Sequence, residues 1–448
     1  MAAPFPAAMS VNASSTKPRR ERLSLAPGVR RREVWAWAMY DFANSGYTTV
    51  VITAIFNAYF VSVVARNADW SSFAWTASLG VSNALVMLTA PAIGAIADAC
   101  AAKKQLLMVS TAGCVLFTGL LALVGADDLW LGVAIVICSS YFFGVGENLI
   151  AAFLPEIARG RALGKVSGWG WALGYIGGLL SLAASLAYLT WAEAQGHEAQ
   201  QFVPVTMLIT AGIFALASLP TFLLLRERAE PQEARAANLV RESFQRLAET
   251  LAHAREFRDV GRFLVCVVFY QAGIQTVVAL AAVYAQQAMG FTTQQTILLI
   301  LVVNVTAAVG AFGFGYVQDV IGHKAAITVT LVGWLATAIL AWWATTSGVF
   351  WLVANLAGLC LGSAQSAGRA LVGFLSPAPR RAEFFGLWGL AVKLSSILGP
   401  LTYGVVTWAS AGNHRLAMLG TGTFFVIGLL LLAAVDVRRG RRVALRRS

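Results

Sequence analysis

Twelve long apolar runs follow one another along this chain. They fall at approximately 35–64, 73–97, 104–125, 129–154, 166–190, 203–225, 262–287, 295–317, 325–346, 349–374, 384–409 and 416–436. Each reaches the roughly 20 residues that an α-helix needs to cross a bilayer core. In lipid, every backbone N–H and C=O must find its partner within the structure, which restricts a spanning chain to helices or a closed barrel. Runs of this length are helices. Composition agrees: 58% of the 448 residues are hydrophobic and 12% charged, against about 25% charged in a soluble domain. The expected fold class is an all-α membrane protein with twelve transmembrane helices.

The basic residues orient the threading. Of 33 Lys and Arg residues, 29 fall in the tails and loops on one side. Only Arg66 and Arg415 fall on the other, and Arg369 and Lys393 lie inside spans. Cytoplasmic loops carry the Lys/Arg excess, so both termini are expected in the cytoplasm, with the spans in the inner (plasma) membrane. The net charge of +12 is thereby a topology signal, with a secondary attraction to anionic headgroups at the cytoplasmic face, and nucleic acid is not an expected partner. Residues 1–33 read as a disordered basic cytoplasmic tail. They lack the short apolar core and small-residue cleavage site of a signal peptide. Residues 438–448 read as a second basic cytoplasmic tail.

The longest internal polar stretch, 226–261, divides a six-helix half at 34–225 from another at 262–437. Within it Val240, Phe244, Leu247 and Leu251 repeat at helical spacing among charged residues. That pattern predicts an amphipathic linker helix along the cytoplasmic membrane face.

Several chemistries are disfavoured. The five cysteines and four histidines are scattered and form no C-x-x-C pair, which argues against a metal site or a disulfide framework. No G-x-x-x-x-G-K-[ST] loop occurs, which argues against ATP hydrolysis. No nucleophile–base set and no large extramembrane domain suggest an enzyme acting on lipids. The expectation is a protein that is not an enzyme and uses no cofactor. Its partners are a small-molecule solute and the bilayer, and it acts as a monomer.

An internal repeat links the halves. Gly94-Ala-Ile-Ala-Asp98 is followed by Lys103 and Lys104, and Gly315-Tyr-Val-Gln-Asp319 by Gly322 and Lys324. Gly94 and Gly315 lie 221 residues apart, as do Asp98 and Asp319. A glycine permits close backbone approach, and an aspartate can pair with a cation or cap a neighbouring helix N-terminus. A gating latch of this kind forms in one conformation and breaks in another. The G-x-x-x-D-x-x-G-x-K pattern is similar to the cytoplasmic loop motif of the major facilitator superfamily. The second copy matches it better, since Ala101 stands in the first where that superfamily usually has glycine.

Polar residues within spans are expensive and therefore candidates for function. The first span carries Asp41, Asn44 and Thr48 on one face, and the fourth Glu147 and Asn148. The seventh carries Gln271 and Gln275, the tenth Gln365 and Arg369, each pair at i, i+4, and the eleventh adds Lys393. In the superfamily fold that the chain resembles, spans one, four, seven and ten line the central cavity. Arg369 and Lys393 suit an anion such as a carboxylate. Asp41 or Glu147 suits an ammonium group or a proton, and a zwitterion would use both signs. Structural ion pairing, for example of Glu147 with Arg369, is the competing reading.

A closer resemblance rests on particular stretches. Trp37-Ala-Met-Tyr-Asp41-Phe-Ala-Asn44-Ser45, Phe153-Leu-Pro155-Glu156-Ile157 and Gly168-Trp-Gly-Trp-Ala-Leu-Gly174-Tyr175-Ile-Gly177-Gly178 resemble the vacuole-effluxer-like branch of the superfamily. So do Gly362-Ser-Ala-Gln365-Ser-Ala-Gly-Arg369, Glu383-Phe-Phe-Gly386 and Leu398-Gly399-Pro400. The fungal member of that branch is implicated in amino-acid release from the vacuole. Where the branch usually has Asn or Tyr near 147–151, this chain has Glu147-Asn148. The resemblance implies a secondary transporter working by alternating access on an amino acid, another small zwitterion or an organic anion, with proton coupling as one option. A drug or sugar permease of the same fold, or a solute sensor that does not transport, are the alternatives.

Overall fold

The computed structural model describes residues 25–229 and 257–446, apart from 67, 69, 161, 292 and 412. Among the described residues, twelve helices are long and apolar enough to span a membrane. The first half comprises α1 (Arg31–Val64), α2 (Ser71–Ala99), α3 (Lys103–Leu123), α4 (Leu129–Ile157), α5 (Ala162–Ala194) and α6 (Ala199–Leu224). The second comprises α7 (Arg258–Gln287), α8 (Thr293–Ile321), α9 (His323–Trp343), α10 (Ser347–Leu375), α11 (Arg381–Ala409) and α12 (His414–Ala433). The fold is the two-half, twelve-helix bundle expected from the hydrophobic rhythm. The predicted linker helix around 240–251 lies outside the described residues, as do residues 1–24 of the expected N-terminal tail.

Local chemistry sets the helix ends. The Glu33 carboxylate accepts from Arg30 N and starts α1 at Arg31, inside the stretch expected to be a tail. The Thr346 hydroxyl accepts from Val349 N and the Asn413 side chain from Leu416 N, which caps α10 and α12. The basic C-terminal stretch is also helical: α13 spans Val437–Arg446. The first helix departs from α geometry at Tyr47–Ala54 and Phe60–Val64, where it is π-helical. The run Thr48-Thr-Val-Val-Ile-Thr53 crowds an α-helix with β-branched side chains, and the Thr53 hydroxyl donates five residues back, to Thr48 O at 2.9 Å. Such wide turns are uncommon and tend to mark functional segments.

The outer surface is apolar. Leu88, Leu223, Val320 and Leu352 are each more than 70% exposed, as lipid-facing side chains are in a bundle without its bilayer. Trp70, Trp130, Trp191 and Trp343 stand exposed near the ends of their helices on one rim of the bundle, the level that Trp favours in a membrane. The opposite rim, called the basic face below, gathers both ends of the chain. Ala26 N donates to Ile157 O at the end of α4. Arg439 of α13 clasps Asp259 at the start of α7 through Nε and Nη2, at 2.6 and 2.7 Å.

Candidate functional site

The most elaborate polar arrangement joins the two halves at α1, α5 and α10. Arg369 projects from α10 into the first half. Its Nη1 lies 2.7 Å from Asp41 Oδ2 of α1, and the two side chains are 4% and 11% exposed. Nε donates to Ser167 Oγ at 3.1 Å and Nη2 to Ser167 O at 3.0 Å. The guanidinium lies 4.7 Å from the Trp37 ring centre and 5.3 Å from that of Trp171. Trp37 and Asp41 are one turn apart on α1, so a ring and a carboxylate meet the same cation. Trp37 Nε1 donates to Ile150 O at 2.8 Å, which holds the ring in place. Gly170 completes the enclosure, because a Cβ there would overlap the Asp41 carboxylate and the Arg369 guanidinium.

A second, looser ion pair lies between α4 and α11. Lys393 Nζ is 4.0 Å from Glu147 Oε2, with side chains 17% and 30% exposed. Asn148 is buried against Gly389, one turn from Lys393, and its Nδ2 has no hydrogen-bond partner among the described residues. Gln271 of α7 donates through Nε2 to Gln365 Oε1 of α10 at 2.7 Å, and its own Oε1 is buried without a partner among the described residues. Gln275, one turn further along α7, is half-buried. Asn44 is buried beside Asp41's turn of α1, with its Oδ1 at 3.5 Å from the Ser45 hydroxyl. Asp41 thus meets Arg369 and Glu147 meets Lys393; Glu147 does not pair with Arg369.

The repeated loops form two crossing contacts. Asp98, at the end of α2, pairs with Lys103 at 2.8 Å and accepts from Glu383 N at 3.0 Å, in the first turn of α11. Asp319, at the end of α8, accepts from Lys165 N at 3.3 Å, in the first turn of α5. Each carboxylate thus meets the N-terminus of a helix in the other half, where the helix dipole and unpaired N–H groups favour a negative charge. The glycines serve the same junctions. Gly94 packs against Ala382 O, and Gly315 against the backbone of Gly164 and Gly168, where side chains would collide.

The lysines have separate roles. Lys103 also pairs with Glu156 at 2.9 Å. Lys104 Nζ donates to Leu225 O beyond α6, and Lys324 Nζ to Ala433 O and Val435 O beyond α12, so each satisfies carbonyls at the end of its own half's last helix. The turn residues also obey the repeat. Gly322 has φ +91°, and Ala101, 221 residues earlier, has φ +50°.

Trp37, Trp171 and Ser167 were not singled out as site residues from the sequence. The alternation of Gly and Trp at 168–171 was the available signal: Gly168 admits the backbone of α8 and Gly170 the Asp41–Arg369 pair, while Trp171 lies against the Arg369 guanidinium. The crossing contacts named above, together with Trp169 Nε1 to Tyr316 OH at 3.3 Å and Lys165 over the Tyr316 ring at 4.5 Å, lie between the basic face and the level of the two ion pairs.

Residues 29–445 match the family model described as "Vacuole effluxer Atg22 like". The chain belongs to that family. It is 27% identical over 412 residues to an uncharacterized MFS-type transporter, YxiO, of Bacillus subtilis, covering 89% of this chain and 94% of that one. It is 25% identical over 416 residues to autophagy-related protein 22 of Kluyveromyces lactis, covering 84% and 82%. Among solved structures it is similar to the proton:xylose symporter XylE bound to 6-bromo-6-deoxy-D-glucose, with TM-score 0.71 and 14% identity over 93% of this chain and 98% of that one. It is also similar to the human organic anion transporter MFSD10, with TM-score 0.66 and 15% identity over 90% and 99%. At these identities the structural likeness shows the fold. This Atg22-like chain is a multi-pass membrane transporter of the major facilitator superfamily, and not an enzyme.

Proposed function

We propose that the transporter moves a small zwitterionic solute, with an amino acid as the leading class, by alternating access coupled to protons. The unlike tightness of the two ion pairs between the halves carries this reading. The Glu147–Lys393 pair is half-open at 4.0 Å. It offers a carboxylate to an ammonium group and an ammonium to a carboxylate, and a zwitterion inserted between them satisfies both. The Asp41–Arg369 pair is closed at 2.7 Å and buried, and it serves as the lock. Breaking it with both charges intact would strand them in a medium of low dielectric. A proton delivered to Asp41 removes one charge and lets Arg369 follow its own half. Asn44, Asn148, Gln271, Gln275 and Gln365 supply uncharged hydrogen-bonding groups around the solute.

Contacts between the halves at the repeated loops close the basic face. The loops with Gly94, Asp98, Lys103, Lys104, Gly315, Asp319, Gly322 and Lys324 form the gate on the closed side. The excess of Lys and Arg on that face supports a cytoplasmic location for it. An Arg415→Cys variant then reacts with an impermeant maleimide on intact cells, and an Arg442→Cys variant does not.

Counterflow in proteoliposomes, with an internal pH dye, tests the function. Wild-type protein exchanges at least one labelled amino acid and acidifies or alkalinises the lumen in step. Glu147→Gln and Lys393→Gln each reduce counterflow by at least tenfold while the folded yield stays the same. Asp41→Asn retains exchange and loses the proton signal. Wild-type counterflow in both the Glu147 and Lys393 variants would refute the site.

A further inference from the structure

A cavity of about 1050 Å³ lies on the basic face, outside the transport site, between the α8–α9 turn, the end of α10 and the helix α13. Arg438, Arg441 and Arg442, at i, i+3 and i+4, put three guanidinium groups along it. The helix is held by two other attachments. Arg439 is committed to Asp259, and Arg441 donates to Phe374 O at 3.0 Å with its guanidinium 4.7 Å from the Phe374 ring centre. Arg438 and Arg442 are exposed and have no carboxylate in ion-pair contact among the described residues. The opposite wall is apolar. Ile321 and Val329 line it and are 44% and 51% exposed, continuous with the lipid-facing Val320 and Val332 of the same two helices.

We infer that this cavity is a binding site for an anionic phospholipid. The phosphate meets Arg438 and Arg442, and an acyl chain runs down the wall of α8 and α9. The observations favour a lipid over a soluble phosphate because the basic rim continues directly into membrane-facing apolar surface. Only an amphiphile uses both. Its level suits it too, since basic pockets between helices at a membrane rim take anionic headgroups. The bound lipid tethers α13 to α8 and α9, and so ties the C-terminal helix to the Asp319 gate.

Native mass spectrometry of the full-length detergent-purified protein, titrated with dioleoylphosphatidylglycerol or dioleoylphosphatidylcholine, tests the site. The expected result is saturable binding of one phosphatidylglycerol in preference to phosphatidylcholine. Each basic group near a membrane surface strengthens anionic binding about fivefold, so Arg438→Gln/Arg442→Gln should weaken it about 25-fold. Arg31→Gln/Arg32→Gln removes the same charge from the same face and should change it less than twofold. Val329→Trp keeps every charge but fills the apolar wall, and should weaken it too. Melting curves without lipid show that the variants are folded. Equal binding of the two lipids, equal loss in both double variants, or competition by soluble glycerol phosphate as strong as by the lipid would each overturn the proposal.

Discussion

Removing Arg369 tests the lock directly. In Arg369→Gln, Asp41 stays in place with 11% of its side chain exposed and loses its ion-pair partner. Breaking a buried pair from one side costs about 3–5 kcal/mol, because the remaining charge is uncompensated. At about 1.4 kcal/mol per factor of ten, that is about 10²-fold to a few thousand-fold. The penalty falls on the conformation closed at the basic face, and opening that face lets water reach Asp41. A wild-type protein that favours the closed form by about 10:1 should therefore invert to about 1:10 or beyond.

Spin labels at positions 159 and 325, both exposed and in different halves of the basic face, report the change. Double electron–electron resonance should show a short distance in wild type and a longer one in Arg369→Gln and in Asp41→Leu. Replacing both partners, as in Asp41→Leu/Arg369→Met, leaves no stranded charge and should restore most of the short distance. Glu147→Gln is the internal contrast. Its pair is 4.0 Å apart and part-exposed, a regime worth at most about 1 kcal/mol, so its distribution should shift less than about fivefold. Unchanged distributions in both single variants, with unchanged melting temperatures, would refute the reasoning.

Two further outcomes follow from the backbone. Gly170→Ala drives a methyl group into the Asp41–Arg369 contact, so its melting temperature should fall by the equivalent of about 1–3 kcal/mol, with transport reduced in proteoliposomes. Ala101 holds φ +50° where its counterpart Gly322 holds +91°. Ala101→Gly should therefore stabilise, and Gly322→Ala destabilise, by about 1–2 kcal/mol each, both read from thermal melts in detergent.

The fold was legible because it is written in two periodicities. Apolar runs of membrane length give the spans, and the offset of 221 residues gives the halves; even the turn at Ala101 keeps that register against its side chain's preference. The charged side chains of the site were legible as residues but not as pairs. Asp41 could have met Arg369 or Lys393, since hydropathy fixes which helices exist and not how each is rotated against its neighbours. That rotation depends on close packing, as where Gly170 lets α1 and α10 meet across α5. Trp37 and Trp171 escaped notice for a related reason. In a membrane chain with 14 tryptophans, an interfacial anchor and a cation-stacking ring look alike until the cation is located. The helical C-terminus was hidden by its charge: six arginines between 438 and 447 read as a solvated tail, and Asp259 is what pins it down.

The two repeat aspartates, Asp98 and Asp319, bind backbone of the opposite half. Across the interface they accept from the peptide N–H groups of Glu383 and Lys165, and nineteen of the twenty amino acids supply such a donor. Only proline lacks it. These backbone hydrogen bonds do not depend on which side chain the donor residue carries, whereas the acceptor needs its carboxylate. Mutational scanning should therefore find 98 and 319 intolerant of every change that removes the carboxylate, and proline at 165 or 383 more damaging than other replacements there.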